Sequence, residues 1–220
     1  MESVINWSYS RLKDFMGCPR RHYETQIAKN FQQPYTQALR YGNAVHKALE
    51  KYAVDGTPLP NNYKRYQGYV DGILEIEGNK YPEYKMGLLP NRKACDYEDK
   101  NRWVRGIADM IIVDGDTAHI VDYKTGKTGY ADPNQLKLMA LMTFAHFPEV
   151  QRAKTGLMFV SYNTFIDEDY KRSDNDQLWK VFESDLQRLS IAFDNAIWPA
   201  QPTGLCRKHC PVETCRHYGG

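Results

Sequence analysis

The stretch from Val104 to Gly129, "VRGIADMIIVDGDTAHIVDYKTGKTG", constrains this chain more than any other. Two apolar runs flank Asp114-Gly115-Asp116, and a short Asp/Gly turn between such runs predicts two adjacent antiparallel strands. Each strand carries a carboxylate: Asp109 lies inside the first, and Asp122 ends the second just ahead of Lys124. A carboxylate in an apolar strand is costly unless a cation or hydrogen-bond donors meet it. A second Asp-Tyr-Lys, Asp169 to Lys171 in "DEDYKRS", sits in a polar run with no apolar strand expected ahead of it. The tripeptide alone is therefore uninformative, and its strand context is what singles out Asp122 and Lys124.

The rest of the chain supplies a frame for that pair. Ser8 is placed to cap a helix running to about Met16, and "CPRRHYETQIAK" reads as a second short helical piece. Thr36 opens a longer helix with Ala38, Leu39, Val45, Leu49 and Tyr52 on one side, ended by "DGTPLP". A further helix is expected over about 61–78. Strand character begins at Tyr84 with "YKMGLL". After the central hairpin, Asp132 as N-cap and Pro133 at the first helical position start the helix "DPNQLKLMALMTFAHF". The apolar strand "AKTGLMFVSY" and a long helix over about 174–197 follow, ended by Pro199 and a Cys-rich tail. Three strands, a crossover helix and a further strand, with helices at both ends, predict one mixed α/β domain. Its parts are a helical segment 1–80, a sheet core 81–170, a helix 171–200 and a tail 201–220.

With 220 residues, 42% hydrophobic and 25% charged, the chain can bury a core of ordinary size. No apolar run reaches the roughly 20 residues needed to cross a membrane, and "MESVINWSYS" lacks the features of a secretory signal, so the sequence reads as intracellular. A net charge of +2 permits nucleic-acid binding without requiring it, although bases concentrate in "CPRRH" and "CRKHC".

Adjacent strands bring Asp109 and Asp122 together, and alternation along a strand projects Lys124 from the same face as Asp122, so all three are expected in one pocket. Hard oxygen ligands suit Mg²⁺ or Mn²⁺, and a lysine beside them can orient a water and offset charge on a phosphate. That is the chemistry of metal-dependent phosphodiester hydrolysis.

Asp109, then Asp122-Tyr123-Lys124, resembles the PD-(D/E)XK nuclease superfamily, with Ala108 where its variable proline would stand. Three further stretches resemble the RecB-like branch, which includes the AddB nuclease domain, CRISPR-adaptation nucleases and many phage exonucleases. They are "SYSRLKDFMGCPRRHY", the histidine motif "YGNAVHKALE" and the Gln motif "QLKLMAL"; together the matches run in order from residue 8 to 139. The resemblance implies a restriction-endonuclease-like fold, a mixed central sheet flanked by helices. It also implies that Asp109, Asp122, the Tyr123 carbonyl and His46 hold Mg²⁺ or Mn²⁺, that Lys124 positions the attacking water, and that Gln135 serves from the crossover helix. Glu83, read as lying before the first strand, is a candidate extra acid. The branch usually has Tyr four residues after the Gln; this chain has Met139, which weakens the expectation of DNA contact by that helix.

Five cysteines in an intracellular chain argue against disulfides and, where clustered, for metal. Cys206, Cys210 and Cys215 lie close together in the tail, while Cys95 is expected in a loop. Resemblance to branch members whose one N-terminal and three C-terminal cysteines bind a 4Fe-4S cluster names Cys18 as the fourth ligand, clasping the two ends of the fold. The tail spacing here is three and then four residues, not two and then five. Zn²⁺, with His209 or His217 substituting, remains the alternative.

The activity implied is a metal-dependent DNA exonuclease in recombination, repair or phage genome processing. DNA is its substrate, and a helicase or recombination protein, or self-association, supplies targeting. Two other classes stay open: a non-catalytic DNA-binding or assembly module on the same fold, and a metal-binding regulator whose active part is the Cys tail.

Overall fold

The computed structural model describes residues 5–219, with the side chain of Tyr130 left aside. Its centre is a six-stranded sheet of β1 (Asn79–Leu88), β2 (Ala94–Cys95), β3 (Val104–Asp114), β4 (Thr117–Lys124), β5 (Arg152–Phe159) and β6 (Thr164–Lys171), in the order β2-β1-β3-β4-β5-β6. Every neighbouring pair is antiparallel except β4 and β5. That parallel pair needs a crossover, which the helix between them provides.

The helices are α1 (Tyr9–Gly17), α2 (Pro19–His22), α3 (Gln37–Asp55), α4 (Gln67–Leu74), α5 (Pro133–His146) and α6 (Asn175–Asn195). The expected N-caps hold: Ser8, Thr36 and Asp132 accept from the amides of Arg11, Leu39 and Asn134. The sheet separates two apolar cores. One packs Phe15, Trp179, Phe182 and most of α5 against it, and the other packs Val45 and Leu49 of α3 with Val70 and Ile73 of α4. Because α5 lies between the sheet and α6, it is buried from Leu136 through Phe144 except at Lys137, and it shows no polar stripe.

Several expectations need correction. The helix expected over 61–78 is confined to α4 behind a short 3-10 turn, and the chain is already in β1 at Asn79, five residues ahead of Tyr84. Ala38 and Leu39, expected on the buried side of α3, are exposed. Cys95 belongs to the short edge strand β2 and not to a loop. "DEDYK" forms most of β6, which pairs only with β5. β6 packs Tyr170 and, in part, Ile166 against the core, while Asp169 forms an exposed ion pair with Arg152.

Glu83 lies inside β1, not before it. Pro82 pairs with Met110 and Tyr84 with Ala108, which sets Glu83 directly across from Asp109. Alternation breaks in both strands at this point: Tyr81 and Tyr84 face the same core three residues apart, and so do Ala108 and Ile111. Glu83 takes a positive φ of 46°, a cost that a non-glycine residue bears where the surrounding pairing fixes it.

Candidate active site and cysteine cluster

The β3–β4 ladder runs from Asp114 opposite Thr117 to Met110 opposite Val121 and stops there. One step further the register would oppose Asp109 and Asp122. The Tyr123 amide instead donates to Asp109 Oδ2 at 2.6 Å, so a side chain takes the place of the backbone partner and the strands part. Asp109 Oδ1 lies 3.3 Å from His46 Nδ1 on α3. The helix reaches this strand end through Gly42, one turn before His46, where a Cβ would sit 3.1 Å from Thr125 Oγ1.

Asp122 is held separately. It is only 6% exposed. Its Oδ1 accepts from Gln135 Nε2 in the first turn of α5 at 2.7 Å, and its Oδ2 lies 2.5 Å from Lys124 Nζ. That second oxygen has the ion pair but no well-directed hydrogen bond. Burial pushes the Asp122 carboxyl upward, and the charge of Asp109 adds to the shift against the pull of Lys124 and His46. Glu83 is pushed up to about 7 by burial and then by the charges of Asp109 and Glu50. Burial alone would lower His46, but its hydrogen bond to Asp109 and the charges of Asp109 and Asp122 raise it on balance.

The expected single pocket is two clefts meeting at Lys124. His46, Glu50, Glu83, Asp109 and Tyr123 line one of about 580 Å³, on the α3 side. Gln135, Met139, Arg11 and Arg105 line the other, of about 790 Å³, and Lys124 belongs to both. Alternation along β4 explains the division: Ala118 and Ile120 face the α5 core with Asp122 in the same phase, whereas Val121 and Tyr123 face the α3 core. Glu50 was missed in the sequence. The signal available was its position four residues after His46, on the same helical face.

Among the described residues no three His, Cys, Asp or Glu side chains form a ready-made metal cage. The donor chemistry nevertheless fits a hard divalent cation. Carboxylates and an imidazole crowd one strand end, and two of those acids are pushed toward their protonated forms, the strain that a cation relieves.

A family model for the PD-(D/E)XK nuclease superfamily matches residues 6–215. The chain belongs to the PD-(D/E)XK nuclease superfamily. Its mixed sheet with helices on both faces is the restriction-endonuclease-like fold that the sequence implied, and nucleases of this superfamily generally use Mg²⁺ or Mn²⁺. A solved structure from Eubacterium rectale named "Putative exonuclease" shares the fold with a TM-score of 0.54 and 15% identity, over 96% of this chain and 86% of that one. SSO0001 is a more remote match, at 14% identity and a TM-score of 0.45 over 92% of this chain and 90% of that one. No curated protein matches the sequence. No helix among the described residues is long and apolar enough to cross a membrane.

Away from this acidic cluster, Cys18, Cys206, Cys210 and Cys215 line one small cavity together with His217; His209 is exposed and does not line it. None of these four cysteines, nor Cys95, is in a disulfide. Cys18 Sγ accepts from the amides of Arg21 (3.5 Å) and Gln201 (3.4 Å), and Cys206 Sγ from that of Thr203 (3.4 Å). Arg20 N–H to Pro199 O, 3.2 Å, ties the same two chain segments. Thiolate is the form in which cysteine binds metal. The sulfurs also fall short of a formed metal cage.

Proposed function

We propose that this PD-(D/E)XK nuclease is a metal-dependent deoxyribonuclease of the RecB-like type, formed by residues 1–220 as one domain and acting from DNA ends. The observation that carries the reading is Lys124 at the junction of two clefts, paired with a buried Asp122 and one strand away from Asp109. End-directed action rests on the RecB-like resemblance and on the name of the Eubacterium rectale protein. An intracellular role in recombination, repair or phage genome processing, with a helicase or recombination protein as partner, rests on the resemblance alone.

In this reading Asp109, Asp122, His46 and the Tyr123 carbonyl hold Mg²⁺ or Mn²⁺, with Glu83 as a further acid. A cation bound there supplies Lewis-acid chemistry, lowering the pKa of water and offsetting charge on the phosphate. Lys124 orients the attacking water and balances the charge that builds on the phosphate oxygens. Gln135 fixes one oxygen of Asp122, so that the other stays directed toward Lys124. The Tyr123 amide fixes Asp109 in the same way. Cys18, Cys206, Cys210 and Cys215 hold a 4Fe-4S cluster, or Zn²⁺ with His217, in a structural role.

The test is degradation of end-labelled linear DNA and of a closed circle with Mg²⁺, Mn²⁺ or EDTA, comparing wild type with Asp122→Ala and Lys124→Ala. Metal-dependent loss of linear DNA in the wild type alone is expected. A folded, metal-loaded wild type that cuts neither substrate overturns the nuclease reading, and equal loss of the circle overturns end-directed action.

A further inference from the structure

The larger cleft carries a second feature that the chemistry at Lys124 does not use. Arg11 of α1 and Arg105 of β3 both line it and are half-buried, yet among the described residues neither forms an ion pair with a carboxylate. Asp14, the acid in the same cleft, is already taken: Arg21 lies 2.7 Å and His22 Nδ1 3.4 Å from its carboxylate. Burial lowers the Arg11 pKa, and the positive charges of Arg105 and Arg102 lower it further. Arg105 is held in place by an aromatic ring, with its guanidinium 5.1 Å from the centroid of Tyr97. A ring face positions a cation without cancelling its charge, as a carboxylate would. Ordinary surface arginines do not pay for burial beside like charges; an anion that arrives from outside repays that cost.

We propose that Arg11 and Arg105, with Tyr97 holding the latter, form a subsite for backbone phosphates of a nucleic-acid strand flanking the nucleotide at Lys124. The proposal rests on the nuclease reading only for which phosphate lies at Lys124. The cleft's composition agrees with it: Lys124 and Gln135 stand at one end, and Ile107 and Met139 give apolar surface for sugars and bases beside the two arginines. Met139 thus lines the same cleft as the arginines while offering apolar contact and no hydrogen bond.

The test is equilibrium binding of a fluorescent single-stranded oligonucleotide in EDTA, across a range of salt concentrations. Wild type is compared with Arg11→Gln, Arg105→Gln and the control Lys154→Ala, which removes an exposed charge from β5 at the level of His119, five residues along the sheet from Lys124; melting curves confirm folding. Each arginine variant is expected to bind several-fold more weakly and to flatten the log K against log salt slope by about 0.7, the value for one single-strand phosphate. The control is expected to keep the wild-type slope. Arginine variants with wild-type affinity and slope overturn the subsite, as does an equal loss in Lys154→Ala. Because cleavage is not measured, a wild type that binds with the arginine-dependent slope but never cuts leaves the subsite standing and removes the nuclease reading.

Discussion

The Tyr123 amide donates to the Asp109 carboxylate at 2.6 Å at the point where β3 and β4 stop pairing. A side chain thereby ends a ladder, and the opening it leaves is where the charged groups gather. Asp109→Ala removes the acceptor and leaves a part-buried amide unsatisfied, a loss on the order of 1–3 kcal/mol. Asp109→Asn keeps an acceptor oxygen for that amide but removes the charge. Both variants are expected to lose DNA cleavage by about 10²-fold or more, while Asp109→Asn melts closer to wild type. Cleavage assays and thermal unfolding of the pair check this; equal destabilisation in both would sink the role given to the Tyr123 hydrogen bond.

Metal-free protein should carry a pH signature of the crowded acids. Glu83 moves from 4.5 to about 7 on folding, so the folded state holds its proton more tightly than the unfolded chain. Its contribution to stability is complete below about pH 4.5 and is lost as pH rises through 7. His46 and Asp122, also raised, act in the same direction, whereas burial lowers His119 and His146, which act oppositely. The informative quantity is therefore a difference between proteins. Relative to Glu83→Gln, wild type in EDTA should melt progressively lower between about pH 5 and about pH 8. Mg²⁺ or Mn²⁺ should raise the wild-type melting temperature more at the higher pH, where protons no longer compete for the carboxylates.

Much of this arrangement is legible in the sequence because it depends on local rules. The Asp114–Asp116 turn sets the β3–β4 register, and Asp132 with Pro133 starts α5 so that Gln135 falls in its first turn facing Asp122. What the sequence hides depends on strand phase. Glu83 reads as a residue ahead of a strand, because Pro82 and a break in alternation mask the pairing that sets it across from Asp109. The same break, with the alternation of β4, divides one expected pocket into two clefts. β6 escapes notice because an edge strand buries little, and its polar residues match no apolar template.

Gln135 is expected to act by positioning and not by contact with the reacting atoms. Gln135→Ala frees Asp122 Oδ1 inside a buried site, and activity should fall by about 10–100-fold with a higher requirement for Mg²⁺ or Mn²⁺. Gln135→Glu should fall further, since it sets a second carboxylate against Asp122. Metal titrations of cleavage check both. An unchanged metal requirement in Gln135→Ala would separate this residue from the Asp122 carboxylate.

The cysteine cluster makes a prediction that leaves the acidic site alone. Cys18 caps α2 and receives an amide from Gln201, so it joins the N-terminal helices to the tail that carries Cys206, Cys210 and Cys215. A metal held across that junction constrains residues far apart in the chain, and its loss frees the tail while β3 and β4 keep their pairing. Cys18→Ala should therefore lose bound iron or zinc and melt several degrees lower. Any folded fraction should retain cleavage in proportion to its amount, because Asp122, Lys124 and Gln135 are held by contacts among β4 and α5. Metal analysis and a visible absorption spectrum after anaerobic purification separate iron-sulfur from zinc. Equal metal content and melting temperature in wild type and Cys18→Ala would show that the four thiols share a cavity without sharing a metal.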